Sequence, residues 1–311
     1  MATRHGFVDM STAVGPTKLP SPVMTASGTA GHGAELARYV PLDKLGALVV
    51  KSLSIMAWEG NPGPRVVELP GGMMNSVGLQ GPGVQGWIDT ELAELRTSGA
   101  RVVASIWGRT IDEYAQAAAA LVPVQDALTA VEINVSCPNI EDRRKMFAHS
   151  CDSAAAVIEA TSMLEIPRWA KLSPNVADIA EIAGAAGDAG ADAVTLTNTL
   201  LGLVLDPASG KPVLGGGGGG VSGPAMRPVA LRAVFDVAAA YPDLPIVGVG
   251  GIANAEDAVQ YLRAGARAVQ VGTATFADPR ATARIANDLQ AWCKKAGVAR
   301  VADLIGTAHA R

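Results

Sequence analysis

Short, continuous apolar runs alternate along this chain with longer Ala-rich stretches of helical period. The runs are Pro22–Ala26, Ala47–Lys51, Arg101–Ile106, Ala130–Val135, Arg168–Leu172, Asp192–Thr197, Pro245–Val249 and Ala268–Val271. Several are β-branched without alternation, the pattern of parallel strands covered on both faces. Between them the spacing predicts helices over Glu35–Val40, Gln85–Thr97, Ile111–Leu121, Ser153–Met163, Val176–Asp188, Pro228–Ala240, Ala255–Arg263 and Arg280–Lys295. Eight such alternations predict an α/β fold, a (β/α)8 TIM barrel, with an open doubly wound sheet as the runner-up. Two Ala-Gly-Ala turns, at Ala189–Ala191 and Ala264–Ala266, sit between a helix and the next strand, where glycine permits a helix C-cap of positive φ. No linker or tandem repeat divides the sequence, so residues 1–311 are expected to form one domain.

Two regions exceed the simple repeat: Ser52–Gln85, after the second strand, and Leu200–Gly223, after the sixth. Both follow the C-terminal end of a strand, where barrels of this kind build their sites. The second contains six consecutive glycines, Gly215–Gly220, most of which are expected to form a plain flexible hinge.

Composition narrows the class. Hydrophobic residues make up 49% of the 311 and charged residues 17%, which excludes global disorder. The 35 glycines and few aromatics (4%) suit tight turns and close helix–sheet packing. A formal charge of −4 with no Lys/Arg run argues against nucleic-acid binding. No stretch approaches the roughly 18 apolar residues of a membrane span. The opening decapeptide carries Arg4, His5 and Asp9 and lacks the apolar core of a signal peptide, so a cytoplasmic location is expected. Three cysteines without CxxC spacing predict neither disulfides nor a metal site, and they fall short of the usual four ligands of an iron–sulfur cluster. Cys151 and Cys293 read as helical packing residues, and no histidine has an evident partner.

Candidate chemistry gathers at the strand ends. Ile246–Ile252 runs from a strand into a glycine turn, and Val269–Ala274 repeats the arrangement one unit later. Turns after the seventh and eighth strands are the usual phosphate site of a barrel, held by bare backbone N–H groups. Lys51, Asn134, Lys171, Asn198 and Thr199 stand at or just beyond the ends of other strands, and Asn75 and Asn139 lie in attached loops. Four asparagines supply donors and acceptors for a flat neutral heterocycle. Two lysines suit a carboxylate, or a flavin edge that gains negative charge on reduction. Cys137 is the one thiol in this set, and by chemistry alone it reads equally as a base or as a small buried hydrophobe.

Six motifs then carry a resemblance: Asn75-Ser-Val-Gly-Leu-Gln80, Asn134-Val-Ser-Cys-Pro-Asn139, Lys171-Leu-Ser-Pro-Asn175, Asn198-Thr-Leu-Leu-Gly202, Val221-Ser-Gly-Pro-Ala225 and Gly248-Val-Gly-Gly-Ile252. In this order, from about Pro22 to Phe276, the sequence resembles the dihydroorotate dehydrogenase family, in its class 1, soluble branch with a cysteine base, and most nearly the NAD-linked catalytic subunits. The resemblance implies oxidation of (S)-dihydroorotate to orotate in pyrimidine biosynthesis, with Cys137 taking the C5 proton and a hydride passing from C6 to N5 of FMN. It implies FMN contacts at Ser27, Lys51, Ser52, Asn134, Lys171, Thr197, Gly223, Gly250, Gly251, Gly272 and Thr273. It implies substrate contacts at Lys51, Asn75, Ser76, Val77, Gly78, Leu79, Asn134, Asn139, Asn198 and Thr199. It also implies a homodimer or a mixed heterotetramer, the latter with an electron-transfer subunit carrying FAD and an iron–sulfur cluster; other soluble relatives use fumarate. The sequence departs from many relatives in having Gly81 and Ser105 where they have asparagine, and the segment Ile140–His149, expected to form part of a lid, carries Glu-Asp-Arg-Arg-Lys where relatives of the NAD-linked subclass usually have a glycine pair. Three competing readings are an FMN enzyme acting on another pyrimidine such as dihydrouracil, a flavin-free aldolase with Lys51 or Lys171 as Schiff-base amine, and a non-catalytic paralogue.

Overall fold

The computed structural model describes residues 7–136 and 146–310. Among these, eight parallel strands form one sheet: β1 (Val23–Thr25), β2 (Leu48–Val49), β3 (Val102–Ile106), β4 (Ala130–Asn134), β5 (Arg168–Leu172), β6 (Ala193–Leu196), β7 (Ile246–Val249) and β8 (Ala268–Val271). They are hydrogen-bonded in the order β1-β8-β7-β6-β5-β4-β3-β2. The two edges meet: Gly46 N–H donates to Val23 O at 2.9 Å and Thr25 N–H to Ala47 O at 3.2 Å. The Thr25 hydroxyl adds a third link, accepting from Val49 N–H at 2.8 Å. The sheet is therefore a closed (β/α)8 cylinder, and the open alternative falls.

Strand periodicity sorts the residues. Alternate side chains point into the cylinder, where Met24, Val49, Val103, Ala130, Trp169, Ala193, Val247 and Ala268 form one apolar layer at its N-terminal end. A hairpin of Thr12–Val14 against Thr17–Leu19 closes that end, adding Val14 and Leu19 to the same cluster. Two residues further along the strands the inward positions turn polar and remain buried: Ser105, Glu132, Lys171, Thr195 and Gln270. The outward faces pack against the helices in a second, larger core that includes Ala104, Ile106, Ile133 and Leu172.

The expected helices form with local adjustments. Thr110, Asp178 and Asn254 cap the helices Ile111–Leu121, Ile179–Asp188 and Ala255–Arg263 by accepting backbone N–H bonds. Gly190 and Gly265 take φ of +94° and +118° in the Ala-Gly-Ala turns. Over Glu35–Val40 only one 3-10 turn forms, Glu35–Arg38, because Pro41 biases its predecessor away from helix. Over Gln85–Thr97 two helices form, Gly83–Thr90 and Leu92–Thr97. The Thr90 hydroxyl donates back to Gly86 O at 2.7 Å beside the break.

The two long insertions meet in one four-stranded antiparallel sheet, ordered Leu200–Gly202, Gly219–Ser222, Gly72–Asn75, Val66–Leu69. This corrects the hinge expectation for the glycine run. Gly219 and Gly220 are strand residues, with Gly220 paired to Asn75. A Cβ on Gly219 would lie 2.5 Å from Asn75 O, one on Gly220 would meet the Thr199 side chain, and one on Gly215 would strike Pro62 O. The glycines let two backbones approach where a side chain would part them. Gly219→Ala is expected to cost about 1–3 kcal/mol in thermal or denaturant unfolding, the range for overpacking. Gly218→Ala, whose Cβ would approach only Gly202 O at 3.2 Å, should cost clearly less; equal costs would restore the hinge.

Candidate active site

Beneath the inserted sheet, at the C-terminal mouth of the barrel, lies a cavity of about 320 Å3. At one end the chain leaves β7 through Gly250 and Gly251, with φ of +139° and +67°, and leaves β8 through Gly272 and Thr273. A Cβ on Gly251 would stand 2.7 Å from Gly223 O, so the turn tolerates no side chain. It is braced from behind. The Tyr261 hydroxyl donates to Gly250 O at 2.6 Å, and burial pushes its pKa up, keeping it a donor. Asp257 accepts from Ala253 N–H at 2.9 Å and pairs with Arg227. The Thr273 and Ser222 hydroxyls bond at 2.8 Å. The result is a rigid glycine-lined cradle at the last two strand ends, suited to a phosphate.

The middle of the cavity is a connected set of amides and hydroxyls. Asn134, the last residue of β4, donates from Nδ2 to Ser52 Oγ at 3.4 Å. Ser52 Oγ bonds Ser105 Oγ at 2.8 Å and Ser27 Oγ at 3.2 Å. Asn198 Nδ2 donates to Asn134 Oδ1 at 3.1 Å, and Thr199 N–H to Asn198 Oδ1 at 2.8 Å. Asn75 is the last residue of a strand of the inserted sheet, not a loop residue, and donates to Gly220 O at 3.3 Å. Three asparagines from distant parts of the chain thus face one space.

Both lysines reach the same space. Lys171 is buried, with Nζ 3.2 Å from Glu132 Oε1 and 3.4 Å from Gln270 Oε1. Lys51 is half-buried, and burial, then the nearby Arg65 guanidinium, lower its pKa below the ordinary 10.5.

Most expected residues line the cavity. These are Ser27, Lys51, Ser52, Asn75, Val77, Gly78, Leu79, Asn134, Lys171, Thr197, Asn198, Thr199, Gly223, Gly250, Gly251, Gly272 and Thr273. Ser76 does not: its Oγ accepts from Asn61 Nδ2 at 2.9 Å and anchors the loop that carries its neighbours. Cys137 and Asn139 lie outside the described residues, although Ser136, just before Cys137, lines the wall. The structure adds Thr29, Met73, Ser222, Met226 and Phe276. Of these only Ser222 stood inside a quoted motif. Glu132 and Gln270 lie within runs that read simply as strands, and Ser105, noted above only for standing where many relatives have asparagine, bonds Ser52 Oγ.

The remaining polar expectations divide. Cys293 is fully buried within Ala281–Ala296, and Cys151 opens the helix Cys151–Ala160. Among the described residues His309 does have partners, contrary to expectation. His309 Nε2 lies 3.0 Å from Ala264 O and its ring stacks on Phe235. His32 Nε2 is buried without a hydrogen-bond partner among the described residues, and burial, then the nearby Lys51 ammonium, lower its pKa. Among the described residues no His/Cys/Asp/Glu group could hold a metal, and no helix is long and apolar enough to cross a membrane.

The cavity fits a flat, phosphate-bearing heterocycle. Its wall includes a buried hydroxyl, Thr197 Oγ1, with no hydrogen-bond partner among the described residues. Such a group costs free energy unless a ligand or water meets it. The glycine cradle, two ammonium groups and a row of amides supply the complementary chemistry.

Comparison with known proteins agrees with this geometry. The family model described as dihydroorotate dehydrogenase matches residues 10–292. The chain is 44% identical over 302 residues to the dihydroorotate dehydrogenase B (NAD(+)) catalytic subunit of Geotalea uraniireducens, covering 97% of this chain and 98% of that protein. It is 45% identical over 298 residues to the protein of the same description from Trichlorobacter lovleyi, covering 96% and 97%. With a family match over nearly its whole length, and with the strand-end constellation assembled around one cavity, the chain belongs to the dihydroorotate dehydrogenase family.

Proposed function

We propose that this chain oxidises (S)-dihydroorotate to orotate in pyrimidine biosynthesis, using bound FMN, as the catalytic subunit of an NAD-linked complex. The observation that carries this reading is the convergence of Asn75, Asn134, Asn198, Lys51 and Lys171 on a single cavity that ends in a glycine cradle. Dihydroorotate loses a proton from C5 and a hydride from C6, and FMN supplies the two-electron acceptor when bound.

The protein's part is positioning and charge. Gly250, Gly251, Gly272 and Thr273 would hold the phosphate of FMN, and Ser27, Ser52, Lys171, Thr197 and Gly223 the remainder. Asn75, Asn134, Asn139 and Asn198 offer donors and acceptors to the ring carbonyls and N–H groups of the substrate. Because Asn134 and Asn198 also bond each other, each is already oriented before substrate arrives. Lys51 is the cation for the substrate carboxylate. Its partial burial strengthens that attraction by excluding water. Cys137, three residues after Asn134 at the end of β4, is the base for C5.

Onward transfer to NAD+ falls to a second subunit, in keeping with the description of the relatives as NAD(+) catalytic subunits; that this subunit carries FAD and an iron–sulfur cluster is what the family resemblance implies. The chain's three cysteines are too few for the usual cluster ligand set.

Three outcomes are expected. Anaerobic addition of dihydroorotate to the purified yellow protein should bleach its visible absorption; a spectrum that stays unchanged counts against the substrate assignment. Cys137→Ala should keep its flavin and lose about 10²–10⁴-fold in turnover, the usual worth of a base, while Cys151→Ala stays near the parent rate. Equal rates would remove Cys137 from its role. Since burial and Arg65 disfavour the Lys51 cation, that charge is lost at a lower pH than in an exposed lysine. KM for dihydroorotate should accordingly climb below pH 10.5, and Lys51→Arg, which stays charged, should flatten the climb.

A further inference from the structure

A carboxylate that no step of the proposed reaction uses lies one layer below the cavity. Glu132 on β4 is wholly buried. Its Oε1 accepts from Lys171 Nζ on β5 at 3.2 Å. Its Oε2 accepts from Gln270 Nε2 on β8 at 2.6 Å and from the Thr195 hydroxyl on β6 at 3.1 Å. Lys171 Nζ also donates to Gln270 Oε1 at 3.4 Å, which closes a ring of three side chains across the barrel. Four strands therefore contribute to holding one ammonium group, and Lys171 is a cavity-lining residue.

Stability alone is a poor account of this arrangement. A buried ion pair repays its desolvation only in part, and well-packed apolar side chains often serve as well. What the ring does provide is a cation fixed in place, with its counter-ion on the barrel side and not on the cavity side. A cation near the electron-accepting edge of a flavin favours the reduced form, because that edge gains negative charge. A carboxylate behind the cation offsets the effect, and in a low-dielectric interior the offset is large.

We propose that Glu132 is a positioning residue that fixes Lys171 at the cavity floor and offsets its charge, so holding the reduction potential of the bound flavin below the value Lys171 alone would set. Thr195 and Gln270 assist by holding the carboxylate. The inference rests on flavin occupying this cavity. A parent protein that retains no flavin would sink that reading; an unchanged potential in a loaded variant sinks only this one.

The test is the midpoint potential of bound FMN, measured by anaerobic equilibration against a reference dye at neutral pH, together with the Kd for FMN. Glu132→Gln keeps the shape and removes the charge. The potential should rise by at least a tenfold change in the reduction equilibrium, about 30 mV for a two-electron couple. Glu132→Asp, which restores the charge, should return most of that rise. Thr195→Val removes one hydroxyl donor and leaves the carboxylate less screened, so the potential should move the other way, by about twofold to threefold. If Glu132 is merely structural, Glu132→Gln weakens FMN binding while the potential stays within threefold of the parent or falls, and the proposal is overturned. Should Glu132→Gln fail to fold or to load, Thr195→Val decides: a fall supports the proposal and no change overturns it.

Discussion

Closure of the parallel sheet between β1 and β2 is the constraint on which the rest of this molecule depends. The three links there, two between backbones and one through the Thr25 hydroxyl, turn eight short strands into a cylinder. Once closed, alternate residues of every strand face a common interior, and side chains far apart in sequence become neighbours. Glu132 and Gln270 lie 138 residues apart and meet at 2.6 Å for this reason alone. The interior is graded along its axis: apolar and plugged by a hairpin at one end, polar and fully hydrogen-bonded in the middle, open to a cavity at the other. The charged layer is tolerable because each of its members finds a partner.

The insertions make the second half of the site. Strands from regions after β2 and after β6 pair into one sheet over the mouth, so that Asn75 reaches the same space as Asn134 and Asn198. The clamp on this cap is made of small contacts. Asn61 holds Ser76, the Trp58 indole N–H donates to Gly78 O at 3.0 Å, and the Arg109 guanidinium lies 4.8 Å over the Trp58 ring. Arg65 ties the same loop through Asn61 O and Gln80. These residues touch the loop that faces the cavity, so the shape of the Asn75 side is set by the cap, while that of the glycine cradle is set by the barrel.

The two ends of the site differ in how they achieve rigidity. The glycine turn after β7 has no side chains of its own and takes its firmness from Tyr261, Asp257 and Arg227 behind it. The amide end holds itself, since Asn134, Asn198, Ser52 and Ser105 are each other's partners. A phosphate cradle needs bare N–H groups at close approach, whereas a ring-binding surface needs side chains whose orientation is decided in advance.

Local order was legible from the residues. Strand and helix positions and the left-handed glycines at Gly190 and Gly265 follow from periodicity and capping chemistry, which act over a few residues. The glycine turns and strand-end amides could be named for the same reason, since their place at the end of an apolar run is itself a short-range signal. Tertiary structure alone decided the rest. It paired the two insertions, turned the six glycines from an expected hinge into packed backbone, withdrew Ser76 from the cavity wall and joined Glu132 to Lys171, Thr195 and Gln270. Each of these depends on which distant surfaces come into contact, and a contact between residues a hundred positions apart leaves no periodic trace in the sequence around either one.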